Sequence, residues 1–216
     1  MTIAAKTVNI QGEVLALTNQ RCIYWKAKEA LILSDLHIGK TAHFRKNGIP
    51  VSSEVLQKDL QRLEQLIHHF NPKSLIIVGD LFHAELNKDV LFFKKWMQQF
   101  PDINISLIKG NHDKNSFELY DGLNIDLLDN QLELPPFVFV HDIKTYAVNK
   151  FYISGHIHPG VLIKGKGKQR IKLPCYQIIK NKLVLPAFSE FTGLNSNTNI
   201  EITRCFAITK TQVFEV

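Results

Sequence analysis

The stretch Leu31-Ile32-Leu33-Ser34-Asp35-Leu36-His37-Ile38-Gly39-Lys40 decides how the rest of the chain is interpreted. Its first residues form a continuous apolar run, which predicts a short strand buried on both faces. Asp35 and His37 come at the end of this run, two positions apart, so in an extended chain their side chains project to the same side. A carboxylate and an imidazole that converge at the carboxyl end of a buried strand suit a metal site.

Three later stretches repeat the pattern of an apolar run followed by polar residues of the ligand type: Leu75–Asp80, Ile105–Asp113 and Phe151–His158. In open α/β sheets, ligands gather just outside the carboxyl ends of the strands, where loops converge. We therefore expect the four stretches to build one site. Its candidate residues, in chain order, are Asp35, His37, Asp80, Asn111, His112, Asp113, His141, His156 and His158.

The apolar pattern between these motifs predicts an α/β fold. Up to residue 108 the element order is β-α-β-α-β, which favours parallel strands with crossover helices. After about residue 130, strands follow one another without helices, which favours antiparallel pairing in a second sheet. We expect a single domain over residues 1–216, with two stacked sheets and helices outside.

The predicted strands are residues 8–10, 14–17, 22–25, 31–34, 75–78, 105–108, 137–140, 151–154, 168–179, 183–188, 204–209 and 212–216. Predicted helices are 53–70, capped by Ser52 or Ser53, and 88–99, capped by Asn87.

Composition narrows the class of protein. With 45% apolar and 21% charged residues, the 216-residue chain can bury a real core. No apolar run approaches the roughly 20 residues needed to cross a bilayer, and the N-terminus lacks a signal-peptide core. Cys22, Cys175 and Cys205 give neither a disulfide framework nor zinc spacing, so we expect a cytoplasmic protein with buried thiols and no membrane partner. A net charge of +6 is compatible with a polyanionic partner.

The donor atoms indicate the chemistry. Carboxylate, amide oxygen and imidazole without thiolate suit Mn²⁺, Fe, Zn²⁺ or Mg²⁺. About seven ligands exceed the needs of one tetrahedral ion, whereas two ions about 3.5–4 Å apart that share a carboxylate would use them all. Asp80 is the best bridging candidate, since a bridging ligand must be anionic. Two such ions activate a bridging hydroxide for in-line attack at phosphorus, and His112 could protonate the leaving group if Asp113 orients it.

Taken singly, the motifs have ordinary explanations. Asp-x-His often occurs by chance, Gly-Asp after a strand is usually a turn, and Gly-Asn-His-Asp could be a capping loop. Gly155-His156-Ile157-His158 is the most specific, because two histidines at strand spacing beside a glycine are more often metal-binding than not. The order of all the motifs, each after a strand, favours the metal site.

Together the motifs resemble the calcineurin-like metallophosphoesterase superfamily over about residues 31–158. The resemblance implies a four-layer sandwich of two mixed β-sheets flanked by helices, and two divalent ions, with Mn²⁺ expected and Fe, Zn²⁺ or Mg²⁺ as alternatives. It implies His112 as the general acid. By the same implication, one ion is held by Asp35, His37, Asp80 and His158, and the other by Asp80, Asn111, His141 and His156.

Two positions depart from the superfamily pattern. In the superfamily, the Gly-Asp motif often carries a later Asp, but position 83 of this chain is a histidine. His83 could replace that carboxylate by hydrogen bonding to a ligand, or it could be a surface residue. The histidine that corresponds to His141 is often followed by glycine, but here Asp142 follows it, and Asp142 could crowd the metal or point outward.

A narrower resemblance extends to about residue 193. Three segments are similar to the ligase-associated DNA damage response endonucleases of the PdeM subgroup: Asp35-Leu-His-Ile-Gly-Lys-x-x-His43-Phe44-Arg45, Gly155-His-Ile-His-Pro-Gly and Leu185-Pro-Ala-Phe…Phe191-Thr-Gly. This implies a phosphodiesterase or nuclease that acts on DNA or RNA in association with DNA ligase, helicase and exonuclease. The oligomeric state stays open.

Two groups of basic residues are candidates for phosphate contacts. Lys40, His43 and Arg45 lie in a predicted loop over residues 39–51, just past the first ligands, and are placed for the scissile phosphate, with His83 as a further substrate contact. A second group alternates at period two and could follow a phosphate backbone or simply protect an edge strand from aggregation. Its members are Lys164, Lys166, Lys168, Arg170 and Lys172.

Two other functions compete with the phosphodiesterase. A phosphomonoesterase, acting on a protein or a nucleotide, could use the same dinuclear site. A non-enzymatic scaffold is the remote alternative, and the intact set of ligand residues opposes it.

Overall fold

A computed structural model of the chain describes residues 2–52, 54–83, 85–113, 116–143, 147, 149–196 and 202–216. Within these residues, the helices are α1 (Lys40–Lys46), α2 (Glu54–Phe70), α3 (Lys88–Met97) and α4 (Phe117–Tyr120). The first seven strands are β1 (Ala5–Ile10), β2 (Glu13–Thr18), β3 (Ile23–Trp25), β4 (Ala30–Leu33), β5 (Ser74–Val78), β6 (Asn104–Ile108) and β7 (Ile125–Leu128). The others are β8 (Leu132–Leu134), β9 (Phe137–Val140), β10 (Phe151–Ser154), β11 (Gly160–Lys164), β12 (Arg170–Ile179), β13 (Lys182–Val184), β14 (Arg204–Ile208) and β15 (Val213–Glu215).

The first sheet contains seven strands in the order β1 to β7. Strands β1 to β4 pair antiparallel, and β4 to β7 pair in parallel. The predicted β-α-β-α-β order therefore holds, with α2 and α3 as crossovers. Ser52 Oγ accepts from the amide of Glu54 at 3.2 Å, and the Asn87 side chain accepts from two amides at the start of α3. The alternative cap Ser53 lies outside the described residues.

The second sheet contains eight strands, and its pairing differs from the prediction. We expected antiparallel pairing because no helices separate the strands, but β10 pairs in parallel with both β9 and β13. The outer strands β8, β12, β14 and β15 pair antiparallel, and β11 forms a hairpin with β12. Both sheets are therefore mixed, as the resemblance implied.

Two apolar clusters hold the layers together. Between the sheets, residues such as Ile32, Ile76, Phe139 and Tyr176 are buried from both sides. On the other face of the first sheet, the apolar stripes of α2 and α3 pack against β4, β5 and β6. A small third cluster on the second sheet contains no helical side chain among the described residues. The two mixed sheets with flanking helices are confirmed.

Several short elements were not predicted. Residues 40–46 form α1 where we expected a loop, and α4, β7, β8 and β11 are also additional. Predicted strand 183–188 ends at Val184, and the next residues continue as a loop that contacts the end of β4. Across the part of the chain that the structure describes, no helix is both long and apolar enough to span a membrane.

Candidate metal centre

The candidate ligands lie at one edge of the sandwich. Asp35 and Asp80 follow the parallel strands β4 and β5, and Asn111 follows β6. His141 follows β9, and His156 and His158 follow β10, whose pairing with β9 is also parallel. The carboxyl ends of parallel strands from both sheets therefore meet at this edge, as expected for an α/β site.

The first group of ligand-type atoms surrounds Asp35. In this group, ligand atoms of Asp35, His37 and His158 all lie within 4.8 Å of one another. His158 Nε2 lies 3.1 Å from Asp35 Oδ1, and the Nε2 atoms of His37 and His158 are 3.5 Å apart. Asp35 is completely buried, and among the described residues its Oδ1 accepts no well-formed hydrogen bond, although His158 Nε2 lies close to it.

The second group surrounds Asp80. Asp80, His141 and His156 also place ligand atoms within 4.8 Å of one another. His141 Nε2 lies 3.4 Å from Asp80 Oδ2, 3.2 Å from Asn111 Oδ1 and 3.3 Å from His156 Nδ1. The other nitrogen, Nδ1, lies 2.9 Å from the carbonyl oxygen of Val78, a contact that fixes the ring orientation.

The two groups adjoin each other. His37 Nε2 lies 4.0 Å from Asp35 Oδ1 and 4.0 Å from Asp80 Oδ2. In addition, the amide of His156, from the second group, donates to Asp35 Oδ2 at 3.1 Å. The predicted ligands are therefore brought together in two adjacent clusters.

The backbone of the ligand segments differs from the prediction. We expected Asp35 and His37, and likewise His156 and His158, at strand spacing. In the structure the strands end before them, and these residues, like Asp80, have positive φ values of 49° to 67°. Non-glycine residues seldom adopt this left-handed conformation, which concentrates at functional sites where the surrounding structure imposes it.

The glycines of the motifs make room for the ligands. A Cβ atom on Gly79 would overlap the ring of His141, and one on Gly110 would overlap Oδ1 of Asp80. Gly155 is similarly close, because its Cβ would lie 2.8 Å from Asp35 Oδ2. Each glycine therefore permits a backbone approach that any side chain would prevent.

Burial and neighbouring charges shift the pKa values of the cluster in different directions. Burial, only partly offset by Asp35 and Asp80, lowers the pKa of His37 to about 3. Burial acts the same way on His141, but its hydrogen bond to Asp80 and the charges of both carboxylates raise its pKa to about 9. For Asp80, burial is outweighed by His141 and by the amide of His112, and the pKa falls to about 2.

His112 and His83 lie side by side next to the first group. Their rings stack with centroids 4.6 Å apart, and the His112 ring centroid is 5.3 Å from that of His37. His83 is therefore part of the cluster. It contacts its neighbours through ring packing. Its buried Nδ1 has no hydrogen-bond partner among the described residues, so that atom does not form the predicted hydrogen bond to a ligand.

Asp113 does not orient His112 as predicted. Its Oδ1 accepts from the amide of Phe82 at 3.0 Å, and its Oδ2 accepts from the amide of Gly110 at 2.9 Å. Burial raises the pKa of this carboxyl to about 6. Asp113 therefore joins the loops after β5 and β6.

The predicted phosphate contacts of residues 40–45 separate into two kinds. Lys40 is half-buried, and burial lowers its pKa. The negative charges of Asp35 and Asp80 offset this effect only in part, so the ammonium group interacts electrostatically with both carboxylates of the cluster. The ring centroid of His43 lies 5.8 Å from that of His83. Arg45, in contrast, is paired with Asp89 of α3 at 3.2 Å and donates to the carbonyl of Val51, so it is engaged within the protein.

The second basic group does not form a continuous stripe. Lys164 ends β11 and pairs across the hairpin with Arg170 of β12, so these two share a face with Lys172. Lys168 lies in the connecting turn and has a positive φ, which interrupts the alternation. The side chain of Lys166 lies outside the described part of the chain. Asp142 is exposed, in agreement with the alternative that it points outward.

Two supports of the site were not predicted. Asp89 accepts from Thr41 Oγ1 at 2.7 Å and from the amide of Ala42 at 3.0 Å, so it anchors α1. The backbone after β13 also contacts the first motif, because the amide of Phe188 donates to the carbonyl of Ser34 at 2.8 Å. Acidic residues are common in the first turn of a helix, so Asp89 did not stand out in the sequence. Backbone hydrogen bonds do not depend on residue type, so the contact of Phe188 with Ser34 could not be predicted either.

The donor set fits divalent metal ions. Two buried carboxylates, one amide oxygen and four imidazoles converge, and Asp35 Oδ1 accepts no well-formed hydrogen bond from the residues that the structure describes. Buried carboxylate oxygens without donors are costly unless a cation compensates them. Asn111 and His156 are exposed, so the cluster is open to solvent on one side.

Comparison with known proteins supports this interpretation. A calcineurin-like phosphoesterase family model matches residues 29–182. The solved structure of Pseudomonas putida nuclease MPE is 28% identical and superimposes with a TM-score of 0.82 over 98% of this chain and 100% of that chain. A Danio rerio transmembrane protein with a metallophosphoesterase domain is 27% identical over 106 residues, and the match spans 46% of this chain and only about a fifth of that relative. The chain therefore belongs to the calcineurin-like phosphoesterase family, which places it among the metal-dependent phosphoric ester hydrolases.

Proposed function

We propose that the protein is a two-metal phosphodiesterase that acts as a nuclease on DNA or RNA. The observation that carries this proposal is the pair of adjacent carboxylate and imidazole groups around Asp35 and Asp80, with His37 at 4.0 Å from both. The similarity to a protein described as a nuclease favours a phosphodiester substrate.

The ligand assignment follows from the two groups. Asp35, His37 and His158 would hold one ion, and Asn111, His141 and His156 the other, with Asp80 shared between them. When bound, two divalent ions supply an activated water and neutralise charge on the phosphoryl oxygens. The chain itself positions the ligands, because the backbone amides of His112 and His156 donate hydrogen bonds to Asp80 and Asp35 and so orient the two carboxylates.

The residues beside the ligands would act on the substrate. His112 would protonate the leaving oxygen, and the stacked ring of His83 would hold the His112 ring in place. Lys40 would attract the scissile phosphate, and His43 would contact the substrate next to it. Arg45 would support α1 through its ion pair with Asp89, instead of contacting the phosphate as the sequence predicted.

The remaining details extend the proposal. Mn²⁺ is the expected ion, as the resemblance implies, and Fe, Zn²⁺ and Mg²⁺ are alternatives. A place in DNA repair beside DNA ligase, helicase and exonuclease, and a cytoplasmic location, stay predictions from the sequence.

Hydrolysis of bis(p-nitrophenyl) phosphate and p-nitrophenyl phosphate, each with Mn²⁺, tests the proposal. We expect the aryl diester to be hydrolysed faster than the aryl monoester. We expect His112→Ala to lower kcat for a DNA oligonucleotide by about 10²–10⁴-fold, because its alkoxide leaving group loses the proton donor, and to lower kcat less for the aryl diester, whose nitrophenolate needs no proton. His68→Ala, at an exposed position on α2, serves as the matched control. A faster monoester reaction would favour the phosphomonoesterase, and a metal-loaded protein inert to both esters would refute the proposal.

A further inference from the structure

A cavity of about 490 Å³ is lined in part by the residues that follow β2. Because β2 pairs antiparallel with β3, and β3 with β4, β2 and β4 run in the same direction, and the cavity lies toward the edge of the first sheet at which Asp35 follows β4. One wall is α2, and the opposite wall is formed by the turns after β2 and β14. Glu190, which lines the cavity, directly follows Ser189, and the amide of Ser189 donates to the carbonyl of Asp35 at 3.2 Å. The cavity is therefore separated from the first ligand segment by a single stretch of backbone.

The side chains that line this cavity are mostly basic or amide. Four of its described lining residues are basic: Arg21, Lys58, Arg62 and Lys210. Glu190 is the acid among them, and its carboxylate is already bound by Arg62 Nη1 at 3.0 Å. Arg62 is also paired with Asp59 at 3.0 Å, and Lys58 with Glu54 at 3.0 Å. Glu54, Asp59 and Glu190 therefore offset three of the four positive charges. Among the described residues, Arg21 and Lys210 are the basic side chains of the cavity that have no carboxylate at ion-pair distance.

Arg21 is held in place by neutral acceptors. Its Nη1 donates to the carbonyl oxygens of Ser189 at 3.0 Å and Ala187 at 3.4 Å. Burial and the like charge of Arg62 lower its pKa, and the charges of Glu190 and Asp59 offset this only in part. A guanidinium group that is oriented by carbonyl oxygens, with no carboxylate at ion-pair distance among the described residues, can bind an oxyanion, since guanidinium groups match phosphate geometry.

Resting on the proposed nuclease function, we propose that this cavity binds a backbone phosphate of the nucleic-acid strand, beyond the scissile phosphate, through Arg21 and Lys210. A polynucleotide carries further phosphates past the surface beside the metal centre, and cationic side chains there fix the position of the strand without reading its sequence. A small aryl diester has a single phosphate and cannot occupy both sites at once. The cavity therefore favours polymeric substrates over small ones.

The test compares KM for an oligonucleotide with KM for bis(p-nitrophenyl) phosphate in the Mn²⁺-loaded protein over a series of salt concentrations. Lys210→Gln is the main variant, because the Lys210 side chain is exposed. Arg21→Gln is the second variant, and Lys26→Gln, which removes an exposed charge outside the cavity, is the matched control. A circular dichroism melt checks that each variant is folded.

We expect Lys210→Gln and Arg21→Gln each to raise the oligonucleotide KM, relative to the aryl diester KM, by about three- to tenfold at low salt. Each should also reduce the slope of log KM against log salt by about one, as loss of one phosphate contact requires. Lys26→Gln should match the wild type. Unchanged KM ratios and salt slopes in both cavity variants would overturn the inference while leaving the nuclease proposal standing.

A different result would identify a free anion as the occupant. If 5 mM inorganic phosphate altered aryl diester hydrolysis by the wild type but not by Lys210→Gln, and oligonucleotide KM stayed unchanged, the strand assignment would be wrong. Failure of the wild type to hydrolyse the aryl diester would instead refute the proposed function itself, so the two failures are distinguishable.

Discussion

At the scale of single residues, the proposed metal centre depends on unusual backbone conformations and on glycines, which have no Cβ atom. Five of the proposed ligands have left-handed backbone, and Gly79, Gly110 and Gly155 lie where a Cβ atom would strike a ligand. Each left-handed non-glycine residue costs on the order of 1–3 kcal/mol, so the loops hold the ligands at a cost in stability. The core between and beside the sheets must supply this stability.

Gly110→Ala tests the requirement for close approach. The added methyl group would overlap Asp80 Oδ1 and lie 2.5 Å from the Asp80 amide nitrogen, so it should displace the shared carboxylate. We expect kcat/KM for the aryl diester to fall by about 10–100-fold, as when supports of metal ligands are removed. Gly193→Ala is the matched control, because its methyl group would meet nothing within 4 Å. Wild-type activity in Gly110→Ala would show that the carboxylate is not positioned by this contact.

The residue types of the site could be predicted from the sequence, but their arrangement could not. Carboxylates, an amide and imidazoles after apolar runs mark the ligands, since these groups are metal donors and strand ends converge. The reason that we gave for Asp35 and His37 was wrong, because the chain leaves the extended conformation at the end of β4. A left-handed Asp or His has no distinct sequence signal when tertiary contacts impose it.

At the scale of elements, α1 shows how one buried acid positions a short helix. Its seven residues are too few for a stable isolated helix. Asp89 of α3 binds Thr41 Oγ1, the Ala42 amide and Arg45 Nη2, and so fixes Lys40 and His43 beside the metal centre. The sequence predicted a loop here because the segment is short and polar, and its anchor lies 40 or more residues away.

A double-mutant cycle on Asp89 and Arg45 tests this anchoring. Asp89→Ala removes three hydrogen bonds and leaves a part-buried guanidinium unpaired, so the free energy of unfolding should fall by about 2–3 kcal/mol. Arg45→Ala should cost less, and the double variant should cost less than the sum of the two. Urea unfolding measures all three, with the exposed pair Lys58→Ala and Glu54→Ala as a control of near-zero coupling. Strict additivity would show that Arg45 is independent of Asp89 and free to contact the substrate.

At the scale of the whole molecule, the site exists because two sheets stack with their parallel ends at one edge. The first sheet supplies Asp35, Asp80 and Asn111, and the second supplies His141, His156 and His158. The α/β class and the parallel half of the first sheet could be predicted from periodicity. The parallel pairing of β9, β10 and β13 could not, because short apolar strands without intervening helices carry no signal of their direction.

The number of metal ions bound per chain decides whether this edge of the sandwich is a two-metal centre. The measurement is inductively coupled plasma mass spectrometry of protein reconstituted with Mn²⁺ and freed of excess metal by gel filtration, with Asp80→Ala as the test variant. Asp142→Ala, which removes an exposed carboxylate next to His141, is the matched control. We predict two ions per chain in the wild type and in Asp142→Ala, and one or none in Asp80→Ala, since Asp80 is shared. One ion or none in the wild type, or two in Asp80→Ala, would contradict the two-metal centre.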